Sequence, residues 1–236
     1  MQNKRYFKIH ELILWISSLI VVTVAFFFGE NKNYLSLVAS LVGVTALVFN
    51  AKGNPAGPAL MIVFGVCYGI ISWGFRYYGE MLTYLGMSVP MDVLSLVSWL
   101  KNPFEGKKSE VKINELSAKE YPFALFLTAV VTVIFYFVLK AFDTANLWWS
   151  TVSVATSFLA VYFSFRRSPL FAFAYALNDL VLIVLWVLAS IKNSAYISVV
   201  ACFFVFFVND LYTFVSWKKL KKMQKISTET EDNLAD

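Results

Sequence analysis

A chain of 236 residues that is 59% hydrophobic and only 15% charged carries too little polar surface for an ordinary soluble domain. Its net charge of +5 sits in lysines and arginines beside apolar runs, which suits an anionic membrane surface and argues against nucleic acid as a partner. Twenty-three Phe, twelve Tyr and seven Trp supply the aromatic belts and lipid-facing packing of a membrane protein.

A helix crosses the bilayer core with roughly 20 apolar residues. Eight segments meet this: about 12–28, 34–50, 59–76, 81–100, 122–140, 148–165, 170–191 and 195–217. Gly29-Glu30-Asn31-Lys32-Asn33 separates the first two, and Lys52-Gly53-Asn54-Pro55-Ala56-Gly57-Pro58 the next two. Residues 101–120, with five Lys and four Glu, are the longest polar stretch. Residues 221–236 read as a disordered tail, acidic after Lys225. No small-residue cleavage site follows the first apolar run, so it reads as a span. With the N-terminus cytoplasmic, sixteen of the 20 Lys and Arg fall on cytoplasmic segments. Lys32, Arg76, Lys140 and Lys192 fall outside. That asymmetry supports an even helix number with both termini cytoplasmic.

The octet Asp92-Val-Leu-Ser-Leu-Val-Ser-Trp99 returns as Asp210-Leu-Tyr-Thr-Phe-Val-Ser-Trp217. Each closes a span, and each is followed by lysine. A basic, proline-containing turn precedes each pair of spans, Lys52 to Pro58 and Arg166 to Pro169. The expected fold is all-α, with two three-helix units (34–100 and 146–220) joined by a linker helix within 101–145. Three helices reverse direction and the linker restores it, so the units are parallel repeats. Residues 1–30 hold an additional N-terminal helix outside the core of 31–220.

Asp92, Asp179 and Asp210 lie within spans, and no Lys or Arg is buried to pair with them. Each must be neutral, hydrogen-bonded or facing water. Asn178 and Asn209 precede two of them, and an adjacent amide and carboxylate suit a polyhydroxylated or heteroaromatic solute. Asp92 and Asp210, near the cytoplasmic ends of their spans, read as gate or helix-anchoring residues with Tyr212. Asn178 and Asp179, near mid-membrane, read as the solute site, with Asn209 and the aromatics Tyr68, Trp73, Tyr175 and Trp186 for stacking on a planar base. Trp99 and Trp217 read as interfacial anchors. The bland alternative is that the acids only tie helices together.

His10 is the one histidine, so a histidine metal site is excluded, and Cys67 and Cys202 read as buried small hydrophobes. No phosphate-binding Gly-x4-Gly-Lys-Ser/Thr loop and no hydrolase or zincin motif occurs. A solute carrier without ATP motor, metal or cofactor is the leading expectation. A membrane scaffold is the alternative, though it would not need mid-membrane Asn-Asp pairs.

Asn50-Ala51-Lys52-Gly53-Asn54, Tyr78-Gly79-Glu80-Met81, Pro90-Met91-Asp92, Arg167-Ser168-Pro169, Asn178 to Trp186 and Asn209-Asp210-Leu211-Tyr212 together resemble the PnuC family of vitamin transporters. The resemblance covers about residues 34–220. It implies a 3+1+3 core like that of the SWEET sugar transporters, with the N-terminal helix dispensable. It also implies a homotrimer in the cell membrane and facilitated diffusion of nicotinamide riboside, trapped inside by phosphorylation. Where nicotinamide riboside carriers of the family carry a Trp-x-x-Trp pair, this chain aligns Ala172 and Tyr175. Relatives carry thiamine, riboflavin or deoxynucleosides.

Overall fold

The computed structural model describes residues 6–28, 33–74, 77–192 and 197–235. The loops around Glu30, Arg76 and Asn193 therefore lie mostly outside the described residues. Helices α1 (Ile9–Phe28), α2 (Tyr34–Ala51) and α3 (Ala56–Gly74) are followed by a broken helix. It runs as α4 (Tyr78–Thr83), a π-helical turn (Tyr84–Ser88) and α5 (Val89–Lys101). Strands β1 (Pro103–Phe104) and β2 (Lys107–Val111) come next, then α6 (Glu120–Ala141), α7 (Leu147–Phe165), α8 (Leu170–Lys192) and α9 (Ile197–Ala235). Among the described residues, eight helical segments are long and apolar enough to span a membrane, with α4, the π turn and α5 counted as one. The π turn has a local cause. Pro90 has no N–H to give back along the helix, so the ladder slips just before it. The slip carries Tyr84 and Ser88 inward, where both are buried.

Lipid tails are as apolar as leucine side chains, so burial alone does not hold membrane helices together; close packing and interhelical hydrogen bonds do. The two octets supply the most ordered set. Trp99 Nε1 donates to Ser164 O (2.9 Å) and Ser98 Oγ to Phe165 O (2.8 Å), at the C-terminal end of α7. Trp217 Nε1 donates to Asn50 O (2.7 Å) and Ser216 Oγ to Ala51 O (2.8 Å), at the C-terminal end of α2. The last carbonyls of a helix have no partner within it. Each unit therefore caps the first helix of the other, with the same two residue types and the partners exchanged. The two indoles meet at 5.1 Å between centroids, and Phe171 packs against both. Both tryptophans are 0% exposed. The expectation that they are interfacial anchors is thus corrected: their N–H groups seek orphan carbonyls between helices.

The turns that open α3 and α8 repeat as well. Gly53 (φ 65°) and Arg167 (φ 57°) are both left-handed. Asn54 Oδ1 accepts from Ala56 N, and Ser168 Oγ from Leu170 N. The 103–119 connection ties the two turns together, because Val111 N donates to Gly53 O (2.8 Å) and Asn114 N to Arg167 O (3.0 Å). Its hairpin turns on Glu105 (φ 47°) and Gly106 (φ 72°), the two left-handed positions of a two-residue turn. At the start of α3, Gly57 sits against Asn50. A Cβ there would overlap Asn50 Oδ1 and come within 2.8 Å of its backbone nitrogen. Gly57→Ala is expected to lower stability by about 1–3 kcal/mol, as overpacking does, read as a lower melting temperature in detergent.

A further expectation needs correction. The tail is not disordered as far as it is described: α9 continues through Ala235. Gln224 anchors it, accepting from Ile113 N and donating to Val111 O and Glu110 (each 2.9 Å). Lys221 pairs with Glu115 at 2.8 Å and holds that carboxyl below its usual range. The additional helix α1 is bonded to the core. It bonds α2 through Trp15 to Thr45 and Lys52 to Glu11, and α9 through Asn209 to Ser18. The Lys52–Glu11 pair has a counterpart in Arg166–Glu120, so α1 is tied to the α2–α3 turn as α6 is to the α7–α8 turn.

Candidate functional site

Four inner helix faces converge. On α8 the residues Tyr175, Asn178, Asp179 and Trp186 recur at helical spacing and share one side. On α5 and α9 the octets present Asp92-Ser95-Trp99 and Asp210-Thr213-Trp217, each at i, i+3 and i+7 from its aspartate. On α7, Ser150, Ser153 and Ser157 form a buried hydroxyl stripe. Ser88, Asp92, Ser157, Tyr175, Asn178, Asp179 and Asp210 line one internal cavity together with Tyr84, Asn50 and Phe64. No lysine or arginine lines it.

The polar groups are held in definite arrangements. Asn178 Oδ1 accepts from Thr156 Oγ1 (2.8 Å) and Ser153 Oγ (3.3 Å). That assigns the side-chain oxygen to α7 and leaves the amide nitrogen for the cavity. The Asp179 and Asp210 carboxyls face each other across α8 and α9, and Tyr175 lies beside Asp92 in the same cavity. Oδ2 of Asp179 and Oδ1 of Asp210 are buried with no partner. Asp210, expected as a gate or anchor, lines the cavity beside Asp179.

A second cavity adjoins the first, with Phe64 and Phe203 in the walls of both. Tyr68, Ser72 and Trp186 line it, and α1 contributes Val22 and Phe26. Tyr68 and Trp186 pack edge to face at 6.3 Å. Both cavities are tight, about 30 and 40 Å³, against the roughly 300–1,000 Å³ of ordinary ligand pockets.

Two residues expected at the solute site, Trp73 and Asn209, lie elsewhere, and Tyr212, expected as a gate or helix anchor, faces α1. Trp73 is 64% exposed on the outside of α3 and lines neither cavity. Asn209 donates to Ser18 and to Val205 O, so it secures α1. The Tyr212 hydroxyl is bonded to Glu11 and His10. In each case the residue lies on a side of its helix turned away from the cavity, which span assignment alone does not reveal. Conversely, Ser153, Ser157 and Thr156 were legible as a periodic hydroxyl stripe and were not singled out. Buried Glu80, just outside the expected span 81–100, lies in the first turn of the broken helix near Tyr68 and Tyr84.

Eight apolar helices around an internal, acid-lined cavity have the architecture of a membrane transport protein. Residues 33–219 match the family described as nicotinamide mononucleotide transporter. The chain is 24% identical over 218 residues to the nicotinamide riboside transporter PnuC of Neisseria mucosa, covering 90% of this chain and 82% of that one. It is 21% identical over 211 residues to the protein of the same name from Haemophilus influenzae, covering 89% and 90%. A crystal structure of the vitamin B3 transporter PnuC superposes with a TM-score of 0.80 at 22% identity, over 92% of this chain and 94% of that chain. The chain belongs to the nicotinamide mononucleotide transporter family, and is a transporter rather than an enzyme.

Proposed function

We propose that this protein mediates facilitated uptake of nicotinamide riboside, the solute named for both PnuC relatives. The observation that carries this reading is the cavity itself. Two unpartnered carboxyl oxygens with no basic residue beside them favour a cationic pyridinium ring. The Asn178 amide offers a donor to the ring carboxamide. A phosphorylated solute would bring its negative charge against the same acids, which disfavours the mononucleotide. The narrow cavities mean that side chains such as Phe64 and Phe203 move aside when a nucleoside enters. The protein lies in the plasma membrane with both termini cytoplasmic, an orientation supported by the distribution of Lys and Arg. Homotrimeric assembly and trapping by intracellular phosphorylation complete the proposal.

Calorimetry on purified protein tests the solute. The mononucleotide is expected to bind at least about a hundredfold more weakly than the riboside, since an uncompensated buried charge costs about 3 kcal/mol or more. Equal affinity, or uptake of only the mononucleotide into proteoliposomes, would overturn the assignment. A related solute (a deoxynucleoside, thiamine or riboflavin) is the second reading. Tyr175 and Ala172, in place of a Trp-x-x-Trp pair, favour it.

A further inference from the structure

We propose that the cleft where α1 begins and α9 leaves its span binds the phosphate of an anionic phospholipid. The cleft has a volume of about 740 Å³, the size of ordinary ligand pockets. It shares no lining residue with either internal cavity, so its ligand is independent of the solute carried. Parts of the chain far apart in sequence build it: the entry to α1 with Tyr6 and Lys8, the α2–α3 turn with Lys52, the β1–β2 hairpin, and α9. On α9 the lining residues Tyr212, Ser216, Lys219 and Met223 recur at i, i+4, i+7 and i+11, and so share one face.

Four lysines and three glutamates line the cleft. Lys52 is bound to Glu11, and Lys107 to Glu105. Glu11 also accepts from Tyr212, Glu105 from Ser227 and Glu110 from Gln224. Lys8 and Lys219 are exposed, and neither pairs with a carboxylate among the described residues. The cleft therefore keeps two cations for an outside anion. Their level decides which anion. Lys8 immediately precedes α1, and Lys219 follows the two residues that cap the end of α2. Both stand where spans end, at the depth of lipid headgroups. Val215 and Met223, 48% and 55% exposed, line the same cleft. Toward the bilayer, Ile9, Ile13 and Ile16 on α1 and Leu211 and Val208 on α9 are exposed as well. Lysines at the rim with apolar flanks leading into the membrane match an amphiphile with an anionic head, and basic pockets between helix ends bind such headgroups. A soluble phosphate ester would meet the same lysines and leave the apolar flanks unused.

Titrating lipid into purified protein in detergent, with the melting temperature as readout, tests the site. Phosphatidylglycerol should raise the melting temperature, and phosphatidylcholine, which has no net charge, should not. A lysine near such a headgroup is worth about fivefold in affinity. K8Q and K219Q should each need about fivefold more phosphatidylglycerol for the same shift, and the double variant roughly thirtyfold more. K108Q/K222Q removes the same charge outside the cleft and should respond as the parent does. Glycerol 3-phosphate, which carries the phosphate without the chains, should give no shift at the same concentration. Equal shifts with the two lipids, or a K8Q/K219Q protein that responds like the parent or like K108Q/K222Q, overturns the site. A full shift from glycerol 3-phosphate overturns the lipid as its ligand.

Discussion

Trp217→Ala is expected to destabilise the protein by about 3–5 kcal/mol, the range for emptying a large buried aromatic site. The indole is fully buried, 4.7 Å from the Phe171 ring and 5.1 Å from Trp99. Lipid cannot refill the space, because the side chain lies between the repeats. The loss is more than packing: Asn50 O at the end of α2 would lose its 2.7 Å donor. Trp217→Phe keeps much of the ring and loses the N–H, so it should cost only the hydrogen bond, about 1 kcal/mol. Trp99→Ala should resemble Trp217→Ala. The double variant should fall short of their sum, since each already removes the other's packing partner. Thermal unfolding in detergent checks all four. A Trp217→Ala protein within about 1 kcal/mol of the parent would show that the indole is interfacial after all.

Asn178→Ala should weaken riboside binding by about 10- to 100-fold, the loss of one or two buried hydrogen bonds, with little change in melting temperature. The asparagine is 3% exposed, and its oxygen is held by two hydroxyls of α7, so the direction of its amide nitrogen is preset. A donor aimed in advance adds affinity without an ordering cost. Thr156→Val removes the shorter of the two bonds and should weaken binding less, by leaving the amide free to rotate. An unchanged dissociation constant for Asn178→Ala would move the solute contacts elsewhere in the cavity.

Much of this architecture was legible because lipid imposes a simple rule on sequence. A span must be apolar for roughly 20 residues, and its ends attract basic residues. The number and approximate bounds of the spans, and the presence of Asn178 and Asp179 inside one of them, followed from that rule. Glu80, one residue outside the expected span 81–100, lies inside the observed one, Tyr78–Lys101. Trp99 and Trp217 were misread because a tryptophan beside a lysine at a span end usually serves the interface. Trp73 and Asn209 were drawn into the site by their spans, although the faces they occupy point outward or toward α1.

What the amino-acid order determined by itself was therefore the number of spans, the duplication and the set of acids without basic partners. These are local or counted properties, set by hydropathy and charge along the chain. Only the tertiary structure decided which acid meets which. It paired Asp179 with Asp210 across α8 and α9, set Asp92 on Tyr175, and turned the octet tryptophans onto the opposite repeat. Such partnerships depend on helix rotation and crossing. In a bilayer, close packing and a few interhelical hydrogen bonds set both, and neither leaves a mark in hydropathy.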